Sequence, residues 1–238
     1  MKKIIVSIAA LLLISYSHKA SAETKFKPGQ TYSGFLTLDG DAKGMQVPLP
    51  DGVWEVAVAK THDPKTNYTK VSVYLFNSVE SKLKGIMTVN FMYENRSRGW
   101  KAPHAICGSD RNLFAKNEIM YTGSQTDCWR IASLALVGKK AGAGRDTNNY
   151  IRSKGLSVPV GAPEVRYFKI EYTEFLDVRY VKIPEFYGIP PMIEAGSSTT
   201  NDYAPSRLAE YPKKKKFVDD LNQWAQKWDK LVELGFRG

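Results

Sequence analysis

Histidine, cysteine and catalytic motifs are scarce in this sequence. Its 238 residues include three histidines and two cysteines. The GxSxG motif of serine hydrolases and the HExxH motif of zinc peptidases are both absent. No group of His, Cys and acidic residues has the spacing of a metal site. We therefore predict no catalytic residues, no metal and no cofactor.

Long apolar runs are absent after the N-terminus. Lys2 and Lys3 precede an apolar run at residues 4–14, and residues 20–22 form an Ala-Ser-Ala cleavage site. This order is typical of a secretory signal peptide, and the run is too short to span a bilayer comfortably. We predict a signal peptide at 1–22 and a mature chain at 23–238 without a transmembrane segment. The product is expected to be periplasmic or secreted in a bacterium, and an uncleaved membrane anchor is the alternative.

The excess of positive charge is moderate. Of the 34 lysines and arginines, Lys2, Lys3 and Lys19 fall in the signal peptide, which leaves 31 against 24 acidic residues. This surplus is compatible with an anionic envelope partner, either a lipid headgroup or a polysaccharide, although solubility explains it equally well. No nucleic-acid partner is expected, because the protein is predicted to be exported and carries no recognition motif.

Both cysteines, Cys107 and Cys128, lie in the mature chain. A pair of cysteines in an oxidising compartment predicts a disulfide. The bridge closes a loop of about twenty residues and stabilises the fold by roughly 3 to 4 kcal/mol in the chain-entropy model. The alternative is a reactive Cys107 with His104 as its base, because a thiolate beside an imidazole is a common catalytic pair.

The strongest β signal lies at residues 53–93. Three runs rich in β-branched and aromatic residues are separated by short polar breaks. In the middle run Val71, Val73 and Leu75 alternate with Ser, Tyr and Phe, and side chains with period two lie on opposite faces of a strand. We predict an antiparallel meander in which Trp54 anchors the core.

A second β unit is predicted at residues 165–183. Apolar and charged residues alternate along this stretch, which is typical of a long hairpin with its turn around residues 173–175. Its charged residues, including Asp177 and Arg179, are interpreted as a solvent-facing side with cross-strand ion pairs. The apolar stretch at 128–137 is a buried strand or a short helix, because periodicity does not decide between them.

The chain from Pro212 onward predicts an amphipathic helix. Its apolar stripe, at intervals of three and four, consists of Phe217, Leu221, Trp224, Trp228 and Leu231. Gly235 stands where a C-terminal cap is expected. We predict a single α+β domain, predominantly an antiparallel sheet with this helix packed on it, and a candidate sub-boundary near residues 138–160. The alternative is a membrane-surface helix, because four lysines lead into it.

One loop combines cations and aromatic residues more densely than the rest of the chain. Its candidate ligand-binding residues are Arg96, Arg98, Trp100, Lys101 and His104. Such a mixture binds an anionic sugar or phosphate through stacking and charge-assisted hydrogen bonds. A solvated loop has the same composition, and it is the interpretation that we favour.

Three short motifs give the chain a family resemblance. They are VPLPDGVWEV at 47–56, DCW at 127–129 and WAQKWDKLVELGFRG at 224–238. Together they resemble a group of exported proteobacterial proteins that carry no assigned function. The resemblance implies export and a β-rich fold, and it supplies no catalytic residues.

Three function classes remain open on the sequence. The first is an exported envelope protein that binds a ligand or partner without catalysis, and we favour it. The second is a peripheral membrane protein that attaches through the C-terminal helix. The third is a hydrolase with an unrecognised site, for which His104, Cys107 and Asp110 would have to meet in one cleft.

Overall fold

The computed structural model describes residues 25–38, 44–62, 68–94, 109, 112–119, 125–137, 141–171, 174–193 and 201–237. The predicted signal peptide at 1–22 lies outside these residues.

Within these ranges the chain forms ten strands and two α-helices. In chain order they are β1 (Thr31–Tyr32), β2 (Phe35–Thr37), β3 (Gln46–Pro48), β4 (Trp54–His62), β5 (Tyr68–Val79), β6 (Lys82–Glu94), β7 (Phe114–Ile119), β8 (Gln125–Ala135), α1 (Ala143–Ser153), β9 (Gly161–Glu171), β10 (Glu174–Lys182) and α2 (Pro212–Arg237). Short 3-10 turns lie at Pro184–Tyr187 and Leu208–Glu210.

Eight of the strands form one antiparallel sheet. Its order is β1-β4-β5-β6-β10-β9-β8-β7, and β2 pairs with β3 in a separate ladder. The predicted meander is confirmed as β4, β5 and β6, and the predicted hairpin is confirmed as β9 and β10. The ambiguous stretch at 128–137 belongs largely to strand β8, because it pairs with β7 on one side and β9 on the other. The predicted α+β class is confirmed.

The two faces of the sheet bury different residues. Val71, Val73 and Leu75 of β5 lie on the face that contacts α2, and Ser72 and Tyr74 lie on the opposite face. This division follows from the period of two along each strand. The apolar face joins the α2 side chains in the main hydrophobic core.

Helix α2 docks on the apolar face, as predicted, but its stripe differs from the predicted one near its end. Phe217 and Trp228 are buried, and the Trp228 indole Nε1 donates to the Pro48 carbonyl at 3.2 Å. Leu231, however, is 49% exposed, and Val232 occupies the core position instead. The cause is the period of 3.6 residues, which moves the buried line by one position over several turns.

The predicted cap at Gly235 is wrong, because α2 continues through it to Arg237. A Cβ atom placed on Gly235 would lie 1.9 Å from the Gln46 carbonyl oxygen of β3. Glycine is therefore required here by a close helix-strand approach and not by helix termination.

A buried ion pair fixes the start of α2. Lys214 donates to the carboxylate of Asp202 and, at 2.7 Å, to the Pro191 carbonyl. The ion pair connects the irregular chain before the helix to its first turn. Because both charged groups are buried, each needs the other as a partner.

Helix α1 covers part of the opposite face of the sheet. Ile151 of α1 packs with Phe76, Leu136 and Val181 in a second hydrophobic cluster. The candidate sub-boundary at 138–160 therefore contains a helix that contacts the sheet. Neither helix in the described ranges is both long and apolar enough to cross a membrane.

We predict that Trp54→Ala lowers the free energy of unfolding by roughly 3 to 5 kcal/mol, as truncation of buried aromatic residues does. Trp54 is 1% exposed, its Nε1 donates to the Pro50 carbonyl at 2.6 Å, and its ring meets Tyr180 edge-on. Denaturant unfolding measures the change. Val53→Ala is the control, because Val53 is 61% exposed, and equal stability of the two variants would contradict the prediction.

Candidate functional site

A row of three arginines crosses the sheet on the face that α1 partly covers. Arg130 of β8 is opposite Arg166 of β9, and Arg166 is opposite Arg179 of β10. Like charges directly across a ladder destabilise a sheet. The row therefore requires carboxylates close by, and two buried ones accompany it.

Asp177 holds two of these arginines. Its Oδ1 accepts from Arg166 Nε at 2.7 Å, and its Oδ2 accepts from Arg166 Nη2 at 3.0 Å, so this pair is bidentate. The Arg179 Nη2 donates to the same Oδ2 at 2.8 Å. The Asp177 side chain is 4% exposed. Two planar guanidinium groups are thus fixed against one buried carboxylate.

A hydrogen-bonded chain continues from Asp177 across the next two strands. The Asn90 Nδ2 of β6 donates to Asp177 Oδ2 at 3.2 Å, and the Ser72 hydroxyl of β5 donates to Asn90 Oδ1 at 2.8 Å. All three residues lie in one cross-strand row. The orientation of the carboxylate is therefore set from both sides.

The ionisation of Asp177 depends on these partners. Burial by itself raises the pKa of a carboxyl group, but the charges of Arg179 and Arg166 and their hydrogen bonds hold the pKa of Asp177 below its ordinary value. The carboxylate is therefore charged at neutral pH, and it loses its ion pairs only in acid.

Glu164 balances the third arginine. The Arg130 Nη2 donates to Glu164 Oε1 at 3.0 Å, and both side chains are largely buried. Burial lowers the pKa of Arg130, and although Glu164 opposes this shift, Arg166 and Arg179 add to it. Burial, and not the neighbouring charges, is therefore the main cause of this shift.

A cavity of about 350 Å³ lies beside the arginine row, between the sheet and α1. Arg166, Arg179 and Lys70 line it with positive charge. Ile86 and Val181 give it an apolar wall. The cavity is therefore amphipathic.

Helix α1 is attached firmly over this cavity. The Asn148 Nδ2 donates to the Leu136 carbonyl at 2.7 Å, and the Lys60 Nζ donates to Asp146 at 2.7 Å. Thr147 and Asn148 line the cavity from the helix. Helix α1 therefore forms one wall of the cavity.

Positive charge exceeds negative charge around the cavity. The lining cations are Lys70, Arg166 and Arg179, and the lining carboxylates are Glu164 and Asp177. Arg130, which does not line the cavity, pairs with Glu164. Lys60 does not add to the excess, because Asp146 neutralises it. Within the described ranges, Arg166 and Arg179 use only Nε and Nη2 on Asp177. In the described part of the chain, the Nη1 of each of these two guanidinium groups has no hydrogen-bond partner.

The ligand-binding loop predicted from the sequence lies outside the described residues. Arg96, Arg98, Trp100, Lys101 and His104 all belong to it. The same holds for Cys107 and Asp110, so convergence of a hydrolase-like cluster stays untested. No group of three or more metal-ligating side chains occurs in the ranges given above.

Cys128 is buried on β8 beside Phe168 and Ile170. It is not a free thiol. Because Cys107 lies outside the described residues, the bridge between Cys107 and Cys128 stays a prediction.

The interpretation of Asp177 as part of a solvent-facing side is wrong. The face that carries Asp177 lies under α1 and within the cavity rather than in open solvent. The available signal was the hairpin register, since the pairing of Glu171 with Glu174 places Arg166 opposite Arg179. Two like charges in register indicate a shared counter-ion.

No protein-family model, no curated protein and no solved structure matches the chain. The resemblance to exported proteobacterial proteins stays a prediction.

We predict that Asp177→Asn lowers the free energy of unfolding at pH 7 by roughly 3 to 5 kcal/mol, because it leaves buried arginines unpaired. The pKa of Asp177 is depressed when folded, so its stabilisation is present above the ordinary carboxyl pKa and is lost as pH falls through the folded value. Urea unfolding at pH 7 and near pH 3 should show a difference between variant and wild type that shrinks in acid.

The matched control for this change is Asp219→Asn. Asp219 pairs with Lys215 at 2.7 Å in an exposed ion pair of α2, and such pairs contribute about 0 to 1 kcal/mol. A cost for Asp177→Asn as small as that of the control would show that the buried cluster does not stabilise the fold.

We also predict that a reducing agent lowers the melting temperature by several degrees, because the predicted bridge is worth roughly 3 to 4 kcal/mol. Differential scanning calorimetry with and without reductant measures the shift. The double variant Cys107→Ser/Cys128→Ser should not respond to reductant. An equal melting temperature for the wild type in both conditions would argue against a stabilising bridge.

Proposed function

We propose that this chain is an exported bacterial envelope protein that binds a small anionic ligand in the cavity under α1, without catalysis. The observation that carries the proposal is the excess of positive charge at a cavity lined by Arg166 and Arg179. Export rests on the predicted signal peptide at 1–22.

The guanidinium groups supply the recognition chemistry. A planar fork of N–H donors matches the oxygens of a carboxylate or phosphate. Asp177 already accepts from both arginines and from Asn90, so its oxygens are committed within the protein. It fixes the forks in place and leaves their remaining donors for a ligand. Pre-orientation of this kind lowers the entropic cost of binding.

The shape of the cavity favours a ligand with two parts. About 350 Å³ lies in the range of roughly 300 to 1,000 Å³ of small-molecule sites. Ile86, Leu136 and Val181 form an apolar wall near the arginines. A small molecule with one oxyanion group and a short apolar portion fits this lining.

The polar groups of the cavity support binding in preference to catalysis. Glu164 and Asp177 are both held in ion pairs, and the Thr147 hydroxyl donates to the Ala143 carbonyl at 2.7 Å. Burial raises the pKa of Tyr74 above its ordinary value, so its phenol is neutral at physiological pH. Acid-base chemistry needs a group whose proton is available near the working pH, and the Tyr74 phenol does not supply one.

The membrane-surface alternative uses the same helix that packs on the sheet. Phe217, Leu221 and Trp228 of α2 are buried in the core. An apolar face that is already buried within the fold has less area to offer to lipid. This packing supports the ligand-binding proposal over the membrane one.

Isothermal titration calorimetry with hexanoate, hexyl phosphate and neutral hexanol tests the proposal. We expect the two anions to bind, hexanol not to bind, and the affinity to fall with added salt. Lys70→Met and Arg179→Gln should each reduce the affinity for the anions roughly tenfold, because each removes a charge-assisted interaction.

Lys227→Met is the matched control, since Lys227 is an exposed lysine of α2 and the helix lies on the other face of the sheet. It should leave the affinity unchanged. Equal binding of hexanol, or unchanged anion binding in both cavity variants, would overturn the proposal. Lys70→Met tests ligand binding more directly than Arg179→Gln does. Lys70 has no ion pair among the described residues, so its loss should not disturb the fold.

A further inference from the structure

A second, smaller cavity lies on the opposite face of the sheet. It has a volume of about 160 Å³ and sits where β4 begins, β10 ends and α2 passes over them. Four aromatic residues and two lysines dominate its lining: Trp54, Tyr180, Tyr187, Trp224, Lys84 and Lys182. It contains no residue of the arginine cavity, so the two sites are independent.

The aromatic side chains form a rigid wall. Tyr180 contacts Trp54 with ring centroids 5.9 Å apart and Trp224 at 5.0 Å, and Trp224 stacks on Trp228 at 5.1 Å. Trp224 is half-buried, and Tyr187 is 40% exposed. The wall is thus anchored in the core by Trp54 and Trp228 and reaches solvent at Tyr187. Rings that are held in this way present apolar surface at a small entropic cost.

Lys182 contacts aromatic rings but forms no ion pair in the described part of the chain. Its Nζ lies 4.5 Å from the centre of the Tyr187 ring and 5.1 Å from that of Phe217. No carboxylate pairs with it in the described part of the chain, and Asp220, the acid whose charge acts on it, pairs with Lys216. Burial lowers the pKa of Lys182, and Lys84 adds to this shift. A half-buried ammonium group next to a second lysine is stabilised by any anion that enters the cavity.

The rim of the cavity supplies both hydrogen-bond donors and hydrogen-bond acceptors. Lys84 Nζ donates to the Asp51 carbonyl at 3.1 Å, which places this lysine at the mouth. The Asp51 side chain is exposed beside it and accepts hydrogen bonds. Aromatic surface, two cations and an acceptor therefore surround a space of about 160 Å³, which equals the volume of about five waters. A cavity of this volume accommodates one six-membered ring.

We propose that this cavity binds a single sugar ring that carries a carboxylate, a uronic acid residue. Lys182 and Lys84 receive the carboxylate, Tyr187 and Trp224 contact the apolar C–H groups of the ring, and Asp51 accepts from its hydroxyls. The assignment does not depend on the ligand of the arginine cavity.

The test is a titration of the mature protein with glucuronate, followed by calorimetry and by saturation-transfer NMR. Glucose lacks the carboxylate and cyclohexanecarboxylate lacks the hydroxyls, so the two compounds separate the contributions. In Arg179→Gln, in which anion binding in the arginine cavity is weakened, we expect glucuronate to bind at least tenfold more tightly than either compound. Lys182→Met and Lys84→Met should each weaken glucuronate binding roughly tenfold, and the ring protons should receive saturation from aromatic side chains.

Arg179→Gln is the matched control, because Arg179 lines the other cavity. It should leave glucuronate binding unchanged. Loss of binding in Arg179→Gln with full binding in Lys182→Met would overturn the proposal, since the sugar would then occupy the arginine cavity. Binding of cyclohexanecarboxylate to Arg179→Gln as tight as that of glucuronate would overturn the sugar assignment. Circular dichroism shows that each variant is folded before it is used, and Tyr187→Ala replaces any lysine variant that is not.

Discussion

The bifurcated ion pair of Asp177 with Arg166 and Arg179 is the interaction on which the polar face of the sheet depends. Without this carboxylate, two guanidinium groups would oppose each other across neighbouring strands with nothing between them. Replacing a buried ion cluster by apolar residues often stabilises a protein. A cluster in the middle of a sheet is therefore poorly explained by stability alone. The cluster is better explained by its effect on the two arginines, which it orients toward the cavity.

One face of the sheet supplies the hydrophobic core, and the other face carries charged groups. One face packs against α2 through Val73, Met87 and Val178, and it supplies most of the hydrophobic core. The other face is only partly covered, because α1 is short and is held by polar contacts such as Asn148 to the Leu136 carbonyl. The stability supplied by the first face lets the second face carry charged groups at its centre. Binding sites in many proteins depend on this separation of support and recognition.

Local patterns predicted more of the fold than of the candidate site. Alternation in β5 and the stripe beginning at Phe217 depend on neighbouring residues, so sequence reasoning found the meander and the helix. The burial of Asp177 depends on which strands pair and on α1, which covers part of that face. Helix α1 is polar and follows glycines, and it was not predicted from the sequence. Gly235 was misread as a cap for the same reason, because its contact with Gln46 links distant parts of the chain.

The position of α2 in the chain has a consequence for biogenesis. This helix follows every strand it covers, so the apolar face stays uncovered until residues 212–237 have been synthesised. Synthesis proceeds at about 5 to 20 residues per second, and during that time the nascent sheet has no stable cover. A translocation channel that accepts only unfolded chains would therefore receive a polypeptide whose apolar sheet face is not yet covered by α2. The order of elements along the chain is thus compatible with export of an unfolded chain, which is the route that the sequence predicts.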